Sequence, residues 1–495
     1  MKPNVVLLTD IADTQLGYGK YAGTYKIATE IRQSGFSCQV IDNYTFFGID
    51  KLRVLLHKFI GDETVLLGIS CTLNSKTQDG KTLFFGYDLY QFSTLLTQLK
   101  EQFPKLKVVV GGARITEHSS WPVVDYCVKG KGEVSIVALL NHLIHGSELK
   151  YHSHNNNKVL TEDDYPYTQE MFSTSIIQYE HNDIIFDNEA VPIEIARGCI
   201  FSCAYCKYDL IGKKIGEWTK TPETIRNEMI RNYEMFGTTH YNISDELINE
   251  SLDKLKMVRD VIVSLPFKVS YTAYARIDLI WRYPEMRELF LESNAICLIF
   301  GIETLHDKAG KAIGKGLSPD KVKDTLRYCK EAWAGKILMC SNFIVGLPYE
   351  PKEHILETAE YLHSPENPLD IFTYSPLGLS FDEVSHYTGK SKIEIKPEKF
   401  GYNIIDNNTW HNTQMTNSEI IKLVNHLDYD PRMRRMHMFF QFKWIGRAIS
   451  LGYDIETLFK MLDDENLRSY DVITTFMQRT QNIKNKYYDR LLALP

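Results

Sequence analysis

The segment IEIARGCIFSCAYCKYDLIGKK, residues 193–214, places three of the nine cysteines within one short stretch: Cys199, Cys203 and Cys206. The spacing is C-x3-C-x2-C, with Tyr205 directly before the last cysteine. The next histidine is His240 and the next cysteine is Cys297, too far along the chain to complete a local ligand set. A structural zinc site takes four protein ligands. A ferredoxin-type cluster takes four cysteines at other spacings. Three thiolates leave one iron of a four-iron cluster without a protein ligand, and such an open position is useful only when another molecule binds it.

The surroundings of the loop set its context. The run PIEIAR reads as a strand, and TPETIRNEMIRNYEMFG after the loop reads as a helix, with Thr221 as cap, Pro222 first and Gly237 as stop. Strand-like runs then recur at HYNIS, KVSYTAYARID, ICLIFGIET, ILMCSNFIVGLP and LDIFTYSPLG. A helix capped by Ser318, with Pro319 first, lies among them. Residues 191–380 thus carry six strand–helix units, which suits a partial β/α barrel with its chemistry at the carboxyl ends of the strands.

Upstream, residues 1–150 alternate strands (NVVLLTD, CQVID, TVLLGIS, KVVVGG, YCVKG) with helical stretches. Continuous apolar strands separated by helices imply a doubly wound parallel sheet covered on both faces. Residues 151–190 are polar and turn-rich and read as a linker, with IIQYE and DIIFDN as a small hairpin. Residues 381–495 read as a helical C-terminal region that packs on the barrel or closes over its mouth. The fold class is α/β throughout, with that helical tail.

The motif C-x3-C-x2-C with its aromatic residue resembles that of the radical S-adenosylmethionine (radical SAM) enzymes. GIET at 301–304 and FIVGLPYE at 343–350 resemble that family's fourth- and fifth-strand segments. The resemblance implies that Cys199, Cys203 and Cys206 hold a [4Fe-4S] cluster whose open iron chelates S-adenosylmethionine. The cofactor is then cleaved reductively to a 5'-deoxyadenosyl radical, with the protein positioning and shielding that chemistry. It also implies an external electron donor of the flavodoxin or ferredoxin kind. Tyr205 would pack near the adenine. Asp245, Glu246, Arg276, Glu303 and Asn342, at strand ends or within strands, are candidate cofactor contacts, Arg276 through a fork-like pairing with the methionine carboxylate. Ser341 is a lesser candidate. Gly346 and Pro348 shape the backbone at the adenine contact.

A doubly wound domain ahead of such a barrel resembles the cobalamin-binding subclass of the family. VVVGGARIT at 108–116 and DYCVKGKGE at 125–133 look like its fourth and fifth strand regions, and Gly111 and Gly112 would let the backbone approach a ligand closely. The chain departs from one pattern of that subclass. Many such domains carry an Asp-x-His-x-x-Gly loop, whereas here the loop reads DIADTQLGYGKYAG and no histidine precedes His57. Cobalamin is therefore possible rather than implied by a ligand.

Other features have plainer readings. The glycine-rich GYGKYAG, residues 17–23, lacks Walker spacing and the G-x-G-x-x-G order, so a turn is favoured over a phosphate cradle. MRRMHMFFQFKWIGR, residues 433–447, reads as a core-facing helix with snorkelling arginines. Cys297 and Cys340 are candidate hydrogen donors to a substrate radical, against the commoner role of small core filler.

Composition bounds the rest. Of 495 residues, 44% are hydrophobic and 24% charged, the balance of a soluble globular protein, and the net charge of -7 disfavours nucleic acid or an anionic membrane as partner. The N-terminus reaches an acid too early for a signal peptide, and no apolar run approaches the ~20 residues of a membrane span. A cytoplasmic enzyme acting on a small molecule or a peptide is expected. Cobalamin-dependent methyl transfer is the favoured reaction. A cobalamin-independent epimerase, rearranging or eliminating enzyme is the alternative, and a non-catalytic iron–sulfur protein is a third reading.

Overall fold

The computed structural model describes residues 2–10, 17–71, 75–76, 82–84, 87–112, 121–154, 157–379, 389–407, 409–430, 432, 445–464 and 469–495. The run at 433–447 is described only from 445, the loop at 10–23 only at its ends, and VVVGGARIT only to 112, so the rest of those readings lies outside the described residues. The chain forms two compact units. One comprises Met1–Asp187, Arg231–Gly237 and Phe476–Pro495, and the other Asn188–Ile230 and Thr238–Thr475.

The first unit is built on strands β1 (Val5–Thr9), β2 (Cys38–Asp42), β3 (Leu66–Ser70), β4 (Lys107–Gly111), β5 (Tyr126–Lys129), β6 (His152–His154) and β7 (Asn157–Thr161). They form a sheet in the order β2-β1-β3-β4-β5-β7-β6. The apolar strands are buried because helices α1 (Ala22–Gln33), α2 (Gly48–Phe59), α3 (Leu89–Gln102) and α4 (Gly132–His145) cover them. Strand order reverses between β1 and β3, the kind of switch point at whose carboxyl ends such sheets bind ligands, and β4, next to β3, ends at Gly111 with Gly112 following. Gly112 has φ +114°, a conformation that L side chains rarely adopt.

Two expectations for residues 151–190 need correction. The polar stretch is not only a linker: β7 pairs parallel with β5, and β6 pairs antiparallel with β7 at the edge. An edge strand presents polar residues to water and so leaves no apolar run to read. The hairpin is absent. His181–Asp183 forms a 3-10 turn, and Asp183 accepts two bonds of 2.7 Å from the Arg32 guanidinium.

Within GYGKYAG, the Lys20 amine is buried, 2.9 Å from Asp42 Oδ2 and 2.9 Å from the Asp183 carbonyl oxygen. Tyr25 and Tyr487 also donate to Asp42. Gly17 N donates to Thr480 Oγ1 at 2.8 Å. Lys20 is thus held inside a buried network and presents no amine to a phosphate. Tyr487 and Thr480 lie on the last helix, α12 (Ser469–Ala493), whose residues from Phe476 onward belong to this unit rather than to the other.

The second unit holds β8 (Ala190–Ile193), β9 (His240–Ile243), β10 (Ser270–Ala275), β11 (Ala295–Glu303), β12 (Leu338–Val345) and β13 (Ile371–Pro376). They lie side by side in chain order, and each neighbouring pair is parallel. This is the partial (β/α)6 barrel. The crossovers include α5 (Pro222–Phe236), α6 (Leu252–Val263), α7 (Asp307–Ile313), α8 (Pro319–Trp333) and α9 (Lys352–His363). Thr221 caps α5, its Oγ1 accepting from Thr224 N at 3.1 Å. Ser318 stands at the cap position of α8 but makes no side-chain cap bond.

Side-chain alternation assigns the faces. Phe300 stacks on Trp333 of α8 and Phe372 packs edge-on to His363 of α9, so these residues face the helices. Cys297, Ile299, Cys340, Asn342, Thr373 and Ser375 alternate with them and face the concave side. Further along, α10 (Asn417–Asp428) and α11 (Ile445–Ser450) pack on the sheet. A Cβ on Gly446 of α11 would stand 2.1 Å from Asn242 Oδ1, so glycine permits the approach of α11 to β9.

Candidate functional site

The cysteine loop leaves β8 through a turn that only glycine fits. Gly198 has φ +77°, and a Cβ there would lie 2.5 Å from both the carbonyl oxygen and Cβ of Leu210. Beyond it, Cys199 N donates to Leu210 O at 3.2 Å, and Cys199 O accepts from Gly212 N at 2.7 Å. Ala204 N donates to Ile313 O at 3.0 Å, and Ala204 O accepts from Ile393 N at 3.1 Å. Backbone bonds therefore fix the loop at the first cysteine and directly after the second, without using the thiols. Gly198→Ala is expected to displace the Leu210 side of the loop and lower the iron content of reconstituted protein at least about tenfold. Iron analysis of folded protein checks this.

Two carboxylates after β9 hold the approach to the loop. Asp245 Oδ1 accepts from Ile195 N at 2.8 Å and Ala196 N at 2.9 Å, and its Oδ2 lies 2.8 Å from Lys254 Nζ. Both oxygens are engaged by the protein, and Asp245 is a buried anchor for the β8 exit. Glu246 Oε2 accepts from Gly198 N at 2.8 Å, next to the first cysteine. Burial raises the Glu246 carboxyl to about 7.

Arg276, at the end of β10, lies beside the second cysteine. Its Nη1 is 3.5 Å from Cys203 Sγ, and its guanidinium carbon is 3.7 Å from the centre of the Phe201 ring. The fork expected to face a ligand carboxylate instead donates to Asp278, from Nε at 2.9 Å and Nη2 at 2.7 Å. The arginine thus sets a cation against the cysteine loop with its planar edge already occupied.

Tyr205 donates its hydroxyl to Glu303 Oε1 at 2.7 Å. Glu303 follows a register shift in β11 and takes φ +68°. Lys315 Nζ lies 3.5 Å from the same carboxylate oxygen and donates to Gly301 O at 2.6 Å. A Cβ at Gly301 would stand 3.0 Å from Glu303 Oε1 and 3.1 Å from Lys315 Nζ, so the glycine of GIET makes room for this cluster.

The remaining candidates divide. Asn342 donates to Ser375 Oγ at 2.8 Å and accepts from Thr373 Oγ1 at 2.9 Å, a polar patch on the concave face. Ser341 turns away and donates to Phe300 O. Gly346 has φ +98°, and a Cβ there would lie 2.6 Å from Ile420 Cδ1 of α10. Its carbonyl accepts from Tyr402 at 2.6 Å, so it anchors the chain that follows the barrel. Cys297 and Cys340 form a buried pair, Sγ to Sγ 3.4 Å. Gly111 and Gly112 lie in the first unit. Sequence reasoning missed Lys254, Asp278, Lys315 and Phe201. Of these, only Asp278, two residues after Arg276, left a short-range signal.

The donor set can be tested against a cluster. Among the described residues no three His, Cys, Asp or Glu side chains are grouped to hold a single metal ion. Ligands to three different irons of one cubane stand further apart than ligands to one ion. Burial raises the Cys199 thiol and pushes Cys206 up to about 11, with the neighbouring cysteines adding to both. Thiols that resist ionisation, as Cys199 and Cys206 do, are stabilised as thiolates by a polycationic centre, which iron supplies. The residues fit the group.

Residues 193–362 match the Radical SAM superfamily. Over these residues the chain matches a superfamily of enzymes whose cofactors are S-adenosylmethionine and a [4Fe-4S] cluster. Among curated proteins it is 24% identical over 365 residues to the uncharacterized methyltransferase PH0819 of Pyrococcus horikoshii, covering 69% of this chain and 73% of that protein. Its fold resembles the radical S-adenosylmethionine methyltransferase TsrM of Kitasatospora setae, with TM-score 0.57 and 16% identity over 80% of this chain and 76% of that one. It also resembles the cobalamin-dependent radical enzyme OxsB, with TM-score 0.56 and 13% identity over 99% of this chain and 80% of that one. The chain has the fold of radical SAM proteins with an N-terminal cobalamin-binding-like domain.

Proposed function

We propose that this enzyme is a cobalamin-dependent methyltransferase acting on a small molecule or a peptide. The observation that carries the reading is the pairing, in one chain, of a sheet ordered β2-β1-β3-β4-β5 with a six-stranded radical SAM barrel. The named relatives with this fold, TsrM and OxsB, are a methyltransferase and a cobalamin-dependent enzyme, and PH0819 is named a methyltransferase.

Cys199, Cys203 and Cys206 would hold the cluster. When bound, the cluster supplies the electron that cleaves S-adenosylmethionine, and cobalamin supplies a carrier for a methyl group. This chain's residues have distinct tasks. Asp245 and Glu246 hold the backbone from Ile195 to Gly198, which orients the first thiol. Arg276 sets its charge beside Cys203. Tyr205 is pinned by Glu303, so its ring has one orientation over the loop. Asn342, Thr373 and Ser375 offer polar contacts on the concave face.

For the corrin, the switch point between β1 and β3 stands next to β4 and the Gly112 that follows it, where the positive φ and the missing side chain suit close backbone approach. Gly112→Val, purified without oxygen after growth with cobalamin, is expected to lose bound corrin at least about tenfold. Its iron content should match the wild type, because the cysteines lie in the other unit. Undiminished corrin in a folded variant would refute the assignment of this switch point.

The buried pair Cys297–Cys340 favours a second reading, in which one thiol gives a hydrogen atom to a substrate radical and no cobalamin takes part. Wild-type protein without corrin that still cleaves S-adenosylmethionine would support it.

A further inference from the structure

We propose that His306 and His354 form a pH-sensitive switch that loosens the cysteine loop as the pH falls, acting through helix α7. The inference rests on the cluster assignment above and adds regulation to that site.

The pair stands past the carboxyl ends of two barrel strands, His306 at the start of α7 after β11 and His354 in the first turn of α9 after β12. Both residues are half-buried, and their ring centres are 4.7 Å apart. His306 occupies the cap position of α7, where its Nδ1 accepts from Ala309 N at 3.4 Å. Caps are ordinarily Ser, Thr, Asp or Asn, none of which loses its acceptor near neutral pH. An imidazole accepts there only while it is neutral. His306 N donates to Thr304 Oγ1 at 2.9 Å, and Thr304 donates to Glu350 Oε1 at 2.7 Å. The same carboxylate oxygen lies 3.4 Å from His354 Nδ1. A proton on His354 Nδ1 thus meets a carboxylate, whereas a proton on His306 Nδ1 meets the Ala309 N–H.

Helix α7 carries the effect to the cysteines. Ile313 O, at its far end, accepts from Ala204 N at 3.0 Å, directly after Cys203. A Cβ at Gly314 would lie 3.8 Å from Cys203 Cα, so the end of α7 lies against the loop. With seven residues, α7 has no interior to hold it when its first turn opens.

Three effects of protonating His306 agree in sign. The cap loses its acceptor. A cation stands at a helix N-terminus, where the macrodipole opposes it. That cation also faces a second imidazole. The charged and titratable neighbours are Asp307 and Lys308 on α7, and Glu350 and His354 at the entry to α9. The two acids favour the cation, but burial and the His354 ring outweigh them and hold His306 below its ordinary value. The cap is therefore fully formed above about pH 6.5 and is lost as the pH falls through the lowered value of His306.

The test uses iron-loaded protein kept without oxygen and mixed with a ferrous chelator from about pH 7.5 to about pH 5.5, the range in which histidine titrates. His306→Asn supplies a cap acceptor that does not titrate. Acidification is expected to quicken iron release from wild type at least about threefold more than from His306→Asn, the scale of one lost cap. Hydrogen exchange in residues 307–313 of the wild type, corrected for the intrinsic pH dependence of exchange, should rise over the same range. His354→Gln removes the ring that lowers His306 and should move the midpoint of the transition to higher pH. Equal pH dependence in wild type and His306→Asn, corrected exchange in 307–313 that does not change with pH, or a midpoint moved to lower pH in His354→Gln would each overturn the proposal. The exchange measurement needs no variant, so it decides the point even where a substitution prevents folding. Wild-type protein that binds no iron would overturn the cluster assignment instead, and exchange in 307–313 would still decide the switch.

Discussion

Cys203→Ala is expected to yield a folded protein with no visible iron–sulfur absorbance after reconstitution and no formation of 5'-deoxyadenosine. Cys203 is the buried member of the trio, and its Sγ is the one that Arg276 approaches. Alanine keeps the backbone atoms that fasten the loop, namely Ala204 N to Ile313 O and Cys206 N to Cys203 O. The variant therefore removes a ligand while leaving its scaffold. Two remaining thiols cannot hold a four-iron cluster that already lacks a fourth protein ligand. Circular dichroism should match the wild type. Cleavage of S-adenosylmethionine at wild-type rate would show that the trio is not the cluster site.

Asp245→Ala is expected to be the most destabilising single change near the site. Removing the carboxylate leaves Lys254 buried without its counter-charge and leaves the amides of Ile195 and Ala196 without an acceptor. Breaking a buried pair in this way costs about 3–5 kcal/mol. The double variant Asp245→Leu, Lys254→Met removes both charges and is expected to recover part of that loss, because no lone charge stays buried. Denaturant titration of the single and double variants measures the difference. A single variant within about 0.5 kcal/mol of wild type would mean that Asp245 is not an anchor.

The legibility of the molecule follows the range of its interactions. Apart from β6 and β7, the strands of both sheets were readable, most of them as short apolar runs, and α5 because Thr221 and Pro222 mark its start. The cysteine loop was readable because its chemistry is local in sequence. Strands β6 and β7 were not, since HSH and NKVLT are short and largely polar and join the sheet at its edge. Asp245 shows a different limit. Its position at a strand end was visible, but whether it faces a ligand or the backbone of Ile195 depends on a partner fifty residues away in space-filling contact, not on local pattern. The Arg276–Asp278 fork shows the same limit, because the sequence shows a cation at a strand end but not which acceptor reaches it. The fastening of the last helix to the first unit through Tyr487 and Asp42 spans nearly the whole chain and left no local trace.

The most direct test of the account is the fate of S-adenosylmethionine on anaerobic, iron- and cobalamin-loaded wild-type protein with a reductant. S-adenosylhomocysteine remains when the methyl group leaves, and 5'-deoxyadenosine remains when the adenosyl radical takes a hydrogen atom. The account expects both products, with S-adenosylhomocysteine formed only when corrin is bound. Formation of 5'-deoxyadenosine alone by corrin-loaded protein would contradict methyl transfer.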